Sequence, residues 1–364
     1  MKNSARVVQA YPPYIHDWKT SARVSWIVAL SLMPVIVWSS VLYGGQAIRV
    51  WTITVFSAVV AEALGGLLLR KWTIGDGSAV ITGILVAAVM PPSIPWYVPV
   101  VSVVFAILVV KMAFGGLGAN WMNPALAGMA FAYANWPAAM REFIAPRIVS
   151  GVDSVSAATP LDFARGLIGG VDSRIMDALH GAGYPLSAFD AKATGLLNDI
   201  LFTRLGARLP EGYIDLAVGL RPGALGESAL LAVLAGSIVL VTLRIIRLEI
   251  PFAMLASFAV LVRVFGTGMP GESFLSGDVL FALSGGGIVL AAFYAATDPV
   301  SSPIGKRAAL VFGTVAGILS FILRRWGSFT ESVVYAVLVM NVMTPFIEKT
   351  SLALGSHRGK VRTP

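Results

Sequence analysis

The chain has 364 residues, 57% of them hydrophobic and 13% charged, with a net charge of +8 and no cysteine. Soluble domains carry roughly 45–50% apolar and about 25% charged residues. A mean hydropathy of +0.79 therefore excludes a soluble enzyme, a disordered chain and a coiled coil, and it points to several membrane-spanning segments.

Residues 1–23 read as a cytoplasmic segment without a signal peptide, since no small-residue cleavage site follows the first apolar run. A bilayer core of about 30 Å needs roughly 20 apolar residues as helix. Runs of about that length occupy 24–43, 47–69, 96–113, 228–246, 250–265, 278–296, 308–323 and 329–347. Two shorter runs, 78–90 and 124–136, are flanked by Gly75 and Gly77, Pro91-Pro92, and Asn120 to Pro124. Such broken helices persist at membrane depth where protein buries them or where they line a cavity. All ten runs together predict an all-α polytopic fold.

The Lys and Arg distribution tests this count. With a cytoplasmic N-terminus, 15 basic residues fall in inside loops and tails, 4 (Arg49, Arg263, Arg324, Arg325) in short outside loops, and 8 in the long segment 138–227. Both termini are then cytoplasmic, with 348–364 as an inner tail. The segment 138–227 becomes a hydrophilic external insert between two membrane halves, 24–137 and 228–347. Apolar patches at Gly166–Ile168 and Leu196–Leu201 predict short helices that dock on the membrane part. In each half a short or broken apolar run ends at a proline motif, Met90-Pro91-Pro92 or Thr297-Asp298-Pro299, and further apolar runs follow. An odd five segments per half implies inverted repeats, with a site near the midplane at their interface.

No cysteine means no disulfide, thiolate metal site or Cys nucleophile. Three dispersed histidines, His16, His180 and His357, argue against haem or an HExxH zinc site. The Gly115–Gly118 run frees backbone N–H groups or allows tight packing. It is not a dinucleotide fingerprint, because no strand precedes it and Trp121 stands where the third glycine would. Asn120 and Asn123 would bond a heteroaromatic edge or cap the following half-helix. Asp76 and Asp298, beside broken helices, read as caps or ion ligands. Glu62 lies inside an apolar run and is the better ion-path residue; Lys111, near a helix end, has the option of snorkelling. In Asp153 to Asp162 the turn formers suggest an external loop, with Thr159 held extended and exposed by Pro160.

Ser156-Ala157-Ala158-Thr159, preceded by Asp153, resembles the flavinylation motif of the Rnf D-subunit and Nqr B-subunit family of membrane flavoproteins. It departs from the usual pattern at Ala157, where glycine is common. Asp76-Gly77-Ser78-Ala79-Val80-Ile81-Thr82-Gly83, Pro91-Pro92, Gly115-Gly116-Leu117-Gly118-Ala119-Asn120 with Asn123-Pro124-Ala125, and Thr297-Asp298-Pro299-Val300 also resemble family motifs along nearly the whole chain. The resemblance implies a urea-transporter-like fold of two inverted five-helix repeats. It implies FMN on Thr159 through a phosphoester made by a flavin transferase, with Asp153, Ser156 and Ala158 as the recognition motif. A second, noncovalent flavin (riboflavin) near Asn120 and Asn123 belongs to the same expectation. So does an inner-membrane complex with the A, B, C, E and G subunits of Rnf that couples ferredoxin:NAD+ electron transfer to Na+ or H+ transport. The alternatives are the B subunit of a Na+-translocating NADH:quinone reductase, against which the short N-terminal segment argues, and a small-solute channel.

Overall fold

The structure, a computed structural model, describes residues 20–70, 73–150, 157–166, 175–181, 184, 186–206, 208–266, 274–327 and 331–359. The chain is an all-α, multi-pass membrane protein, and each of the ten apolar runs contains helix. Among the described residues, four helices are long and apolar enough to cross a bilayer: Ser21–Tyr43, Gly45–Leu69, Lys306–Trp326 and Ser332–Ser351.

In the first half, α1 (Ser21–Tyr43) starts where the Thr20 side chain accepts the Arg23 N–H. It bends at Leu32, because Pro34 supplies no backbone donor to the next turn. α2 (Gly45–Leu69) follows, then the short α3 (Ser78–Ala88). α4 (Tyr97–Met112) widens into π-helical turns from Phe105. α5 (Pro124–Asn135) begins with proline at its first position, where a missing donor costs nothing.

The insert holds α6 (Pro160–Gly166), α7 (Ile175–Gly181), α8 (Ala188–Leu197) and α9 (Tyr213–Val218). Leu161, Ala164, Ile175, Met176, Leu179, Tyr213 and Leu216 form a small core that takes in Phe281 of the second half. The insert therefore packs against Phe281 through these residues; of the patches predicted to dock, Leu167 and Ile168 lie outside the described residues. The other patch differs: Leu196, Leu197 and Ile200 are helical but exposed, so these three side chains are not what docks it. The insert's last residues return into the body. Leu225 N–H donates to Met90 O at 3.2 Å and Gly226 N–H to Ala88 O at 2.6 Å. The second bond takes a carbonyl at the end of α3 whose helical partner would be Pro92, which has no N–H.

The second half comprises α10 (Glu227–Thr242), α11 (Glu249–Phe265), α12 (Val279–Ser284), α13 (Ile288–Leu290, continued as a π-helical turn over Ala291–Ala295), α14 (Lys306–Trp326) and α15 (Ser332–Gly359). The run 278–296 reads in sequence as one apolar segment but is broken at Gly285-Gly286-Gly287. Two arginines stabilise the break. Arg221 Nη2 donates to Ser284 O at 2.5 Å, and Arg324 Nη1 donates to Ala282 O at 2.7 Å. Guanidinium groups here satisfy carbonyls at a helix C-terminus, where the helix dipole favours positive charge. Arg324, counted in sequence as a loop cation, is thus buried. Elsewhere small residues bring helices together: a Cβ at Gly313 would lie 2.5 Å from Ile250 O, and one at Gly317 2.3 Å from Met254 O. α14 therefore packs against α11 through a Gly-x-x-x-Gly face.

Candidate functional site

Two polar centres emerge, one between the membrane halves and one in the insert. The first is a crevice enclosing about 900 Å³, part of it open to solvent. Ser78, Thr82, Lys111, Asn120, Asn123 and Asp298 supply its polar lining, and Val28, Ile81, Leu85, Leu240 and Phe293 much of the apolar wall. The enclosed part that a water-sized sphere can occupy is about 150 Å³, smaller than small-molecule sites of roughly 300–1,000 Å³.

Of the sequence-predicted residues, Asn120, Asn123 and Asp298 line this crevice, and Asp76 and Glu62 lie behind it against Ser78 and Lys111. Asn123 Oδ1 accepts the N–H groups of Ala125 and Leu126 at 2.9 and 3.3 Å, so it caps α5. Its Nδ2 donates across the halves to Ala295 O at 3.3 Å. Asn120 is buried and donates from Nδ2 to Met122 O at 3.0 Å. The glycines before it need their freedom for conformation: Gly115, Gly116 and Gly118 have φ of +113°, +98° and +91°, and no atom crowds a Cβ at Gly116 or Gly118. Asp76 Oδ1 accepts Ser78 N–H at 2.8 Å at the start of α3. Asp298 accepts Ser301 Oγ at 2.8 Å and Val300 N–H at 3.4 Å after the second broken helix. Both carboxylates bond backbone N–H groups two residues on, Asp76 just before α3 and Asp298 in the turn after the second broken helix, and Asp298 also faces the crevice.

Glu62 and Lys111, separated in sequence, come together. Lys111 Nζ donates to Glu62 Oε2 at 2.6 Å, with side-chain exposures of 2% and 0%. The Lys111 ammonium also donates to Ser78 Oγ at 2.5 Å, and Thr73 Oγ1 donates to Glu62 Oε1 at 2.7 Å. Ser78 Oγ in turn donates to Asp76. Lys111 therefore does not snorkel, and Glu62 is not an uncompensated charge. The sequence hides the pair because its members lie on different helices, α2 and α4. A buried ion pair of this kind is costly to assemble and more costly to break.

The second centre is Thr159. Asp153 and Ser156 lie outside the described residues. Ala157 N–H donates to Phe143 O at 3.0 Å, and Tyr184 OH donates to Ala158 O at 2.6 Å. Thr159 Oγ1 donates to Asp162 Oδ2 at 2.7 Å and accepts Asp162 N–H at 3.1 Å, while Thr159 O accepts Phe163 N–H at 2.9 Å. Sequence predicts an exposed hydroxyl, but Thr159 is 4% exposed. The reason is local: its side chain turns inward to cap α6, with Pro160 at the first helical position. Burial first, then the Asp162 carboxylate, push the Tyr184 phenol up to about 12, against a partial opposing effect of Arg221. It is therefore a neutral donor at neutral pH.

Sequence reading misses a third set of charges beside the helix break. Arg221 Nη1 bonds Glu227 Oε1 at 3.1 Å, and Arg324 lies 4.8 Å from the centre of the Phe258 ring. Glu331 is buried as well. Arg221 sits in a polar insert and Arg324 at a helix end, so nothing in their sequence surroundings marks them as buried.

Comparison with known proteins places this architecture. The profile of the NQR2, RnfD, RnfE family matches residues 8–353. The D subunit of an ion-translocating oxidoreductase complex from Stutzerimonas stutzeri is 34% identical over 335 residues, covering 90% of this chain and 89% of that protein. The D subunit of a proton-translocating ferredoxin:NAD(+) oxidoreductase complex from Clostridium ljungdahlii is 32% identical, covering 93% and 92%. A Na(+)-translocating counterpart from Acetobacterium woodii is also 32% identical, covering 95% and 94%. With a profile match over most of its length and full-length relatives above 30% identity, the chain belongs to the NQR2, RnfD, RnfE family.

Proposed function

We propose that this chain is the flavin-carrying membrane subunit of an ion-translocating ferredoxin:NAD+ oxidoreductase complex, with FMN esterified to Thr159. The observation that carries the reading is the near full-length similarity to proteins named as the D subunit of such complexes, combined with a threonine hydroxyl held by a carboxylate in the insert. The donor chemistry fits: a phosphoester needs a hydroxyl, and Thr159 offers one on a helix cap beside small alanines. FMN accepts one or two electrons, which lets it join one- and two-electron carriers. The chain's own residues would fix the attachment point through Asp162, Tyr184 and Phe143. Asp153 and Ser156 would guide the transferase.

We read the ten helical runs as ten spans. The family resemblance implies two inverted five-helix repeats of urea-transporter-like fold, and the Lys and Arg distribution puts the insert 138–227 outside and both termini in the cytoplasm of a bacterium. The domain limits 1–23, 24–137, 138–227, 228–347 and 348–364 follow from that topology. The native chain has no cysteine, so a cysteine placed at Lys192, exposed on α8, reads the sidedness of the insert directly. Labelling only from the cytoplasmic side would overturn the topology.

A second, noncovalent flavin would enter the crevice by parting its walls, since about 150 Å³ is free as it stands. Its apolar walls would take a flat ring system, and Asn120 with the remaining amide hydrogen of Asn123 would meet a polar edge. Asp298 on its wall and Glu62 behind Lys111 would form the ion path for Na+ or H+, and the A, B, C, E and G subunits of Rnf would complete the electron circuit. The attachment site is tested by co-expression with a flavin transferase and in-gel flavin fluorescence. Wild type should fluoresce and Thr159→Ala should not; covalent flavin persisting in the variant would contradict the assignment.

A further inference from the structure

We infer that Asp162 is a proton acceptor built into the flavin-acceptor segment, acting on the Thr159 hydroxyl during attachment; this rests on Thr159 being the acceptor. An alcohol is a weak nucleophile until a base takes its proton. Thr159 Oγ1 already directs that proton at Asp162 Oδ2, 2.7 Å away. The same oxygen accepts Asp162 N–H at 3.1 Å, so the donor that caps α6 also opposes negative charge growing on the attacking oxygen. In an ordinary capping box the acid reaches back to a backbone N–H. Here the carboxylate engages the hydroxyl itself.

Burial adds a second constraint. With 4% of Thr159 exposed, a transferase cannot reach the oxygen in the docked insert. The first turn of α6 must turn outward. Contacts to other elements, such as Tyr184 to Ala158, are lost in that movement. Thr159 and Asp162 lie three residues apart in one turn, so their contact travels with the segment. The base is thus carried by the substrate and does not depend on the docked fold.

The step balances with a flavin adenine dinucleotide as donor. Thr159 Oγ attacks the phosphorus bearing the riboflavin chain, and the Oγ–P bond forms as the bridging P–O bond of the pyrophosphate breaks. AMP leaves with that electron pair. The hydroxyl proton passes to Asp162 and then to water, and nothing is oxidised or reduced.

The test uses the full chain, produced without transferase, solubilised, and given purified flavin transferase, Mg²⁺ and FAD. Covalent flavin is followed against time by in-gel fluorescence. Asp162→Asn keeps an acceptor for the hydroxyl but is not a base. It should slow incorporation about a hundredfold, in the range general bases supply, while the unfolding temperature of the unmodified protein stays put. Asp162→Glu should return to within about tenfold of wild type, and formate should restore part of the rate to Asp162→Ala. Wild-type incorporation in Asp162→Asn overturns the inference. So does an equal loss in Asp162→Glu, which would mark a requirement for shape alone. Thr159→Ala is run in parallel: flavin retained there defeats the acceptor assignment itself, a result separable from failure of Asp162.

Discussion

At Thr159 the partner of the hydroxyl is three residues away, whereas at Glu62 the partner of the carboxylate is 49 residues away. The first contact is made by one helical turn and is held together by local geometry. The second exists only because α2 and α4 pack together and bury both side chains. Local polar pairs can open and re-form without disturbing the fold, which suits a segment that must be modified. Long-range buried pairs lock elements together, which suits the wall of a crevice. The two centres should therefore respond differently to substitution.

The largest stability effect is expected at the long-range pair. Lys111→Met leaves the Glu62 carboxylate buried with its cation gone, at a cost of about 3–5 kcal/mol. Removing both charges in Glu62→Gln/Lys111→Met should recover much of that loss. Denaturant unfolding in detergent measures both variants. An unchanged midpoint for Lys111→Met would mean that Glu62 is not held by the ion pair. The same reasoning changes how Glu62→Gln alone is read. It strands Lys111, so a drop in ion transport counts as an ion-path effect only if the double variant also shows it.

Packing of the second half should come next. Gly317→Leu would push side-chain atoms toward Met254 O, which already lies 2.3 Å from an ideal Cβ. Overpacking of this kind costs typically about 1–3 kcal/mol, read as a lower unfolding midpoint. Wild-type stability would show that α14 and α11 separate freely.

Much of the helix pattern is legible in sequence because lipid demands apolar runs with internally satisfied backbones. The turn at Asp76 and the cap at Asn123 are legible for the same local reason: Asp-x-Ser and Asn-Pro place a side-chain oxygen next to orphan N–H groups. The break at Gly285–Gly287 is less so. Its carbonyls are taken by Arg221 and Arg324, which lie 63 and 42 residues away. The burial of Thr159 also escapes sequence reading. Pro160 announces an extended residue, but the docking of α6 against Phe281 depends on a helix more than a hundred residues downstream.

A smaller effect is expected at Asn123→Ala. Loss of an N-cap costs about 1 kcal/mol, and the bond to Ala295 O across the halves goes with it. Binding of added riboflavin to the crevice should weaken too, as read by fluorescence titration; unchanged affinity would remove Asn123 from the site.

The smallest effect concerns alkali. The Tyr184 phenol is raised in the folded state to about 12, above its unfolded value of about 10. Its contribution to stability is present in full below about pH 10 and is lost as pH rises toward about 12. The insert should become more sensitive to limited proteolysis across that window, and Tyr184→Phe should flatten the change. An identical alkaline transition in the variant would assign it to another group.

The most direct measurement is the intact mass of the wild-type chain purified after co-expression with a flavin transferase, followed by mapping of the modified peptide. One FMN esterified per chain, on the peptide containing Thr159, is the expected result. An unmodified mass, or FMN located on any other residue, would contradict the reading of this chain as a flavin-carrying subunit with Thr159 as its attachment point.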